Sequence, residues 1–318
     1  MAVEVEELGD EAVGFVSDAR YVAAAVEAAE GLVADDPSQE RWVRPLVRAI
    51  KRGRLRLPSL SPTTHRLIQL IEAPEVDLDE LAEVVSADPV LTMRLIGVAN
   101  SSYFRGATEV PNIREALMRM GVREARTIII VVALRSTLLR SQGLGDSAQL
   151  LWRHSILCAA AAQETTQELP PWEQSGFLAG LLHDIGQLVV LAFVSELPAW
   201  QEDGEAPDAE AVDAILAATH SALGALVLAS WGFPDPFCEA ILTHHDSSAA
   251  SEEVRILAVA LELTDAIAHQ VVAGWPEEES ELDPSLIALA ETLGLDAERL
   301  TDLAEEAAAA CEALSKLS

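Results

Sequence analysis

Residues 77–100 read DLDELAEVVSADPVLTMRLIGVAN, and this stretch decides the fold class. Asp77 and Glu80 have the spacing of a helix-opening capping box ahead of Leu81, Val84 and Val85. Asp88-Pro89 repeats the opening signal. Its carboxylate can accept from the free N–H groups of a first turn, and its proline has a fixed φ that suits the first helical position. The next helix is expected to run through Leu91, Leu95 and Val98 towards Asn100.

The same punctuation recurs outward in both directions. Ser61-Pro62 opens a helix on one side, and Asn112 with Glu115 opens another on the other side, stopped by Gly121. Asp283-Pro284 and Asp296 open the last two. The β-branched run Ile128–Val132 has strand propensity, but helical segments flank it and a lone strand has nothing to pair with. It reads as a fully buried helix. The expectation is an all-α chain.

Composition agrees. Half of the 318 residues are hydrophobic and only 4% are aromatic, which favours packed helices rich in Ala and Leu over a sandwich or barrel. The net charge of −31 is unevenly spread. Residues 1–40 hold 11 acids and 1 base, residues 41–153 hold 11 acids and 17 bases, and residues 154–318 hold 30 acids and 3 bases. A polyanion would be repelled by most of the chain, so general nucleic-acid binding is not expected. The block RWVRPLVRAIKRGRLR at 41–56 has seven bases and no acid. It reads first as a solvated face pairing with acidic neighbours, and second as a docking site for an acidic partner or a nucleotide phosphate.

Cys158, Cys238 and Cys311 lack CxxC spacing, so neither a disulfide framework nor a thiolate zinc site is expected. The start of the chain is acidic, unlike a secretory leader, and the apolar run Ile128–Leu134 is too short to span a bilayer. These readings make membrane insertion unexpected and a cytoplasmic location the expectation.

The chemistry lies in the histidines. His154, His183, His220, His244 and His245 fall within about ninety residues. Asp184 follows His183 directly, and Asp265 follows later. Imidazole and carboxylate are ligands for divalent ions. Each is expected on a helix. Adjacent helical side chains diverge by about 100°, so His183 and Asp184 can share one ion cluster only over a helix end or flank. A carboxylate can bridge two ions, which could hold an activated water against phosphorus. The plainer alternative is a hydrogen-bonded His183–Asp184 pair, with His244-His245 ending a helix where imidazolium meets the macrodipole. His65 and His269 fall outside the pattern and read as ordinary histidines.

The order and spacing resemble the HD superfamily of metal-dependent phosphohydrolases. Residues 55 to 250 more specifically resemble the HDOD domain, a relative of the HD-GYP phosphodiesterases. This resemblance rests on ADPVLTMRLIGVANSSYF, ALMRMGVREARTIIIVVAL, WRHSILCAAAAQ, LAGLLHDIGQLVV, HSALGALVLASWGFP and ILTHHD. It implies a multi-helix HD-type bundle with a leading helical HDOD subdomain. The implied segments are 1–54 (N-terminal helical segment), 55–145 (leading half), 146–250 (HD-like half) and 251–318 (C-terminal helices packing on the HD-like half).

The resemblance further implies a bacterial signalling role, usually non-catalytic, with a signalling-protein partner or a nucleotide ligand. By the enzyme motif, His154, His183, Asp184, His220, His244, His245 and Asp265 match the ligand positions for iron, manganese, zinc or magnesium. The chain also departs from the enzymes. Gln187 stands where active members often carry lysine, Leu150 stands in the place of an acidic ligand, and DSSAASEE replaces the glycine-rich GYP segment. The expected function is therefore a regulatory or ligand-sensing module. The alternative is a metal-dependent phosphodiesterase in which Asp184 bridges the ions.

Overall fold

The computed structural model describes residues 19–73, 76–101, 104, 109–138, 145–197, 206–273, 275 and 282–317. Among these residues there is no strand. Fifteen α-helices are described: α1 (Ala19–Asp35), α2 (Glu40–Lys51), α3 (Pro62–Ile71), α4 (Leu78–Ser86), α5 (Pro89–Ala99), α6 (Ile113–Met120), α7 (Val122–Leu138), α8 (Gly145–Thr166), α9 (Gly176–Leu182), α10 (Ile185–Glu196), α11 (Ala209–Ser230), α12 (Asp235–Leu242), α13 (Arg255–Ala273), α14 (Pro284–Thr292) and α15 (Ala297–Leu317). The loops expected at Tyr103–Pro111, Ser141–Asp146, Gln201–Pro207 and Trp275–Asp283 lie wholly or partly outside the described residues.

The caps form as the sequence indicates. Ser61 Oγ accepts from the Thr64 amide at 3.0 Å, and Asp88 Oδ1 accepts from Val90 and Leu91 at 2.9 and 3.0 Å. Asn112 Oδ1 accepts from Glu115 at 2.9 Å. The return half of the first capping box does not form. Asp77 caps through the Asp79 amide, while Glu80 pairs with Arg66 of α3 at 2.6 Å. The β-branched run is helical and buried, with Ile128 to Leu134 all at 3% exposure or less.

Contacts divide the chain into two compact units. The first comprises Met1–Pro58 and His183–Val254. In it α11 is the central helix, with α1, α10 and α12 packed along it. Tyr21, Ala25 and Ala29 recur one turn apart as the buried stripe of α1. The Tyr21 hydroxyl donates to the carbonyl of Asp235 at 3.2 Å, at the start of α12. Trp231, capping α11, donates its indole N–H to the carbonyl of Pro58 at 2.8 Å.

The second unit comprises Ser59–Leu182 and Arg255–Ser318. Helices α3 to α7 pack on one another. Helix α8 packs against α9, α13 and α15, which sets residues of α8 opposite residues of α13. A separate cluster of Leu263, Ile267, Leu286, Leu300 and Leu303 joins α13, α14 and α15.

Three stretches have the length and apolarity of membrane spans: Gly176–Glu196, Ala209–Ser230 and Arg255–Ala273. The sequence reading, which weighed only the most apolar run, Ile128–Leu134, as a span, understated them. Isolated polar residues such as His183, Asp184 and His220 interrupt each run without lowering its mean hydropathy below that of a span. Most of each is buried within the protein, at 78%, 61% and 56% respectively.

Candidate metal centre

In the first unit five of the seven expected residues come together. Helix α9 ends at Leu182 and α10 begins at Ile185. His183 and Asp184 form the break between them, with Asp184 as the N-cap at φ −99°, ψ 11°. His244 and His245 likewise stand just past the end of α12. The expectation that each lies on a helix is corrected for these four. Only a helix end lets adjacent residues face one point, since within a helix they diverge. Leu181, Leu182 and Ile185, all buried, anchor the break. His220 sits within α11.

The close approach of α10 to α11 requires glycine. A Cβ on Gly186 would lie 1.9 Å from the carbonyl oxygen of His220 and 2.5 Å from the Gly224 amide nitrogen. No other residue allows backbones this near. The approach carries Asp184 to the His220 ring.

Asp184 uses its two oxygens differently. Oδ1 lies 3.3 Å from His220 Nε2 and 3.8 Å from His244 Nε2. Oδ2 lies 3.4 Å from His183 Nε2 and accepts from the Gln187 amide at 2.7 Å. Such a carboxylate can serve two ions. Burial pushes its pKa up, but the facing imidazoles of His183, His220 and His244 outweigh burial and hold it well below the usual carboxylate range.

The rings are fixed from behind. His220 Nδ1 lies 2.7 Å from the carbonyl of Leu216, and His244 Nδ1 lies 2.6 Å from that of Ile241. A carbonyl only accepts, so each Nδ1 carries the proton. Burial pushes the His244 imidazole down to about 3, helped by His183 and His245 and opposed by Asp184. It is neutral, and its Nε2 presents a lone pair. The Nε2 atoms of His220 and His244 nevertheless lie 3.4 Å apart, and those of His220 and His245 2.9 Å apart. With Nδ1 protonated on both rings, the Nε2 lone pairs of His220 and His244 face the same point beside a buried carboxylate, and the Ser221 hydroxyl, 3.3 Å from His220 Nε2, can donate to it. Asp184, His220, His244 and His245 hold their ligand atoms within 4.8 Å of one another. This donor set fits a divalent ion.

The other two expected residues belong to the second unit. His154 of α8 places Nε2 at 2.9 Å from Asp265 Oδ1 of α13. Two residues that the sequence reading passed over join them. Cys158 Sγ lies 3.5 Å from His154 Nε2, and His269 Nε2 lies 3.4 Å from Asp265 Oδ1. A usable signal was present, because each stands one helical turn from an expected ligand. Gly180 lets α9 approach α8 here, since a Cβ on it would lie 2.6 Å from the carbonyl oxygen of Cys158.

The HDOD domain family model matches residues 57–247. The chain belongs to the HDOD family. This HDOD protein is 26% identical over 210 residues to an uncharacterized protein of Treponema pallidum (strain Nichols), covering 63% of this chain and 40% of that one. The chain therefore spans well under half of that relative's length. A solved structure from Marinobacter aquaeolei VT8, described as a candidate signal transduction protein, has a TM-score of 0.66 at 21% identity, covering 96% of this chain and 67% of that one. Another, from Shewanella amazonensis SB2B and described as a candidate metal-dependent phosphohydrolase, has a TM-score of 0.57 at 22% identity, covering 86% and 99%. At these identities the likeness is one of HDOD fold.

Proposed function

We propose that this HDOD protein is a regulatory module of bacterial signalling, located in the cytoplasm, that binds a divalent cation without turning over a phosphoester. It acts on a signalling-protein partner, and a nucleotide ligand would bind at the metal centre. The residues proposed as ligands are His154, His183, Asp184, His220, His244, His245 and Asp265.

One observation carries the non-catalytic reading. Residues 154–254, which supply six of those seven side chains, contain no lysine or arginine. Phosphoryl chemistry must neutralise charge that develops on non-bridging oxygens, and fixed cationic donors are the usual means. At position 187, glutamine donates to Asp184 rather than offering a charge to substrate. A bound cation would supply Lewis acidity, while the chain's own residues orient it and shield it from water.

The second reading, a metal-dependent phosphohydrolase, is favoured by the Nε2 lone pairs that His220 and His244 turn toward Asp184 and by the two-sided Asp184 itself. One experiment separates the two. Metal content of untagged, chelator-free protein is measured by elemental mass spectrometry, and hydrolysis of bis-p-nitrophenyl phosphate and cyclic dinucleotides is assayed with manganese, iron and magnesium. Bound metal that is lost in His220→Ala, with no turnover, supports the regulatory reading. Turnover abolished by Asp184→Ala overturns it in favour of the enzyme.

A further inference from the structure

The metal centre leaves one block of the sequence unexplained, RWVRPLVRAIKRGRLR at 41–56. It forms α2 and the turn after it. Helical residues turn by about 100° each, so Arg41, Arg44, Arg48 and Lys51 fall within an arc of about 80°, and Arg52 at the C-cap extends the row. All of these side chains are exposed. Trp42, Val43, Leu46, Ala49 and Ile50, on the opposite side, are buried. We propose that this basic face docks an acidic helical segment of the signalling partner, with Asp and Glu recurring every three or four residues to meet the row. The proposal rests on the regulatory reading only for the existence of a protein partner.

The row is not satisfied from within. Arg44 pairs with Glu40 one turn earlier at 2.5 Å, and Lys51 pairs with Glu30 of α1 at 2.8 Å. All four of these side chains are more than half exposed. Exposed pairs of this kind contribute little, so a partner's carboxylates can take their place. Arg41 lays its guanidinium over the Trp42 ring at 4.0 Å, which steadies the head of the row. Arg48 and Arg52 make no ion pair among the described residues. Pairing with acidic neighbours therefore covers Arg44 and Lys51 and leaves the middle and end of the row to something else.

Charge and length choose the occupant. The first unit holds 24 acids and 8 bases, and every base except Arg20 lies in this block. The face is thus a basic row in an otherwise acidic unit. It is about 15 Å long, which matches about three turns of a partner helix. A nucleic-acid duplex carries a charge about every 1.7 Å of its axis and would continue past the row into a unit that repels it. A bilayer takes up a surface helix by receiving apolar side chains. The apolar side of α2 is buried, and the exposed large hydrophobic residues Val90, Met93, Met118, Val122, Leu150 and Val272 all belong to the second unit. Arginine, which dominates the row, presents a planar fork that fits a carboxylate.

The test uses the full chain and two synthetic peptides of one composition. One carries its glutamates in a single helical stripe, and the other has them spread round the helix. Titration calorimetry at low ionic strength should show the striped peptide binding at least about tenfold tighter. Arg48→Glu with Arg52→Glu should weaken that binding at least about tenfold. A striped peptide with two central glutamates changed to lysine should bind this variant better than it binds the natural chain. The new carboxylate at position 48 has Arg44 one turn away, so α2 should persist, with circular dichroism as the check. If the reversal does not fold, Arg48→Gln with Arg52→Gln should weaken the striped peptide in the same direction. Equal binding of the two peptides overturns the proposal, and so does binding unchanged in the variants. Tighter binding of phosphatidylglycerol vesicles, a DNA duplex or a nucleoside triphosphate, lost in the variant, overturns it in favour of a lipid, a nucleic acid or a phosphate. Self-association lost in the variant overturns it in favour of a second copy. Phosphoester turnover would overturn the regulatory reading without moving the peptide result, so the two fail separately.

Discussion

Gly186 and His220 are bound by backbone proximity: a methyl group on the glycine Cα would stand 1.9 Å from the histidine's carbonyl oxygen. The contact sets the spacing of α10 and α11 and hence the distance from Asp184 to the His220 ring. Gly186→Ala must push the helices apart. Overpacking of this kind costs about 1–3 kcal/mol. We expect a lower urea midpoint with an unchanged slope, together with loss of metal from the Asp184 group. A variant that unfolds and loads metal like the parent would disprove the dependence.

Asp184 is the one carboxylate among four facing imidazoles in the first unit. A ligand that binds only the folded state at a hundred times its Kd stabilises by about 2.7 kcal/mol. Manganese or zinc should therefore raise the Tm of the natural chain in proportion to the logarithm of its concentration. Asp184→Asn should remove most of that rise. Equal metal-induced shifts in both proteins, by scanning calorimetry, would place the ion elsewhere.

Gln187 holds Asp184 through Oδ2 at 2.7 Å. Partners that orient a ligand in this way are worth about 10–100-fold in metal affinity. Gln187→Ala should weaken manganese binding by that order in isothermal titration, with far-ultraviolet circular dichroism unchanged. An unaltered binding constant would show that the amide orients nothing that matters to the ion.

Glu72, at the end of α3, is mostly buried and accepts from the Ser175 hydroxyl at 2.8 Å. Burial raises its pKa to about 7, against the lowering effects of Ser175 and Arg126. A raised folded-state pKa means that the native protein holds the proton more tightly than the unfolded chain does. This contribution is full below about pH 4.5 and is lost as pH climbs through about 7. The slope between those values is at most about 1.4 kcal/mol per pH unit. Glu72→Gln should flatten it. Denaturation midpoints at pH 5 and pH 8 would measure the difference, and an equal fall in both proteins would assign the slope to other groups.

Local chemistry was readable in the sequence where the partners are local. The caps at Ser61, Asp88, Asn112 and Asp283 all formed, because an Ncap oxygen reaches only the next two or three amides. Glu80 was misjudged because its partner, Arg66, belongs to another helix. The Glu72–Ser175 bond joins residues more than a hundred positions apart, which no local pattern encodes.

The candidate site shows the same division. The order of histidines and aspartates named seven residues, and the structure sets four histidines around Asp184 and the other two residues against each other. The sequence indicates the helix ends at these residues only in part: His244-His245 read as ending a helix and His183-Asp184 as acting over a helix end or flank, but no proline or glycine between Leu181 and Ile185 marks the break that sets His183 and Asp184 there. Cys158 and His269 were passed over for another reason. A buried thiol usually fills space, and a histidine outside the motif order has no claim until the opposing helix is known.

The first compact unit is assembled from the two ends of a long interval, with α1 lying along α11 although nearly two hundred residues separate them. During synthesis α1 must wait, its stripe of Tyr21, Ala25 and Ala29 uncovered, until the ribosome has delivered α11. The segment matched by the family, 57–247, leaves out both α1 and α2. Protein trimmed to those limits would strip the cover from α11, the helix that carries His220, and its solubility would suffer before its chemistry could be assayed.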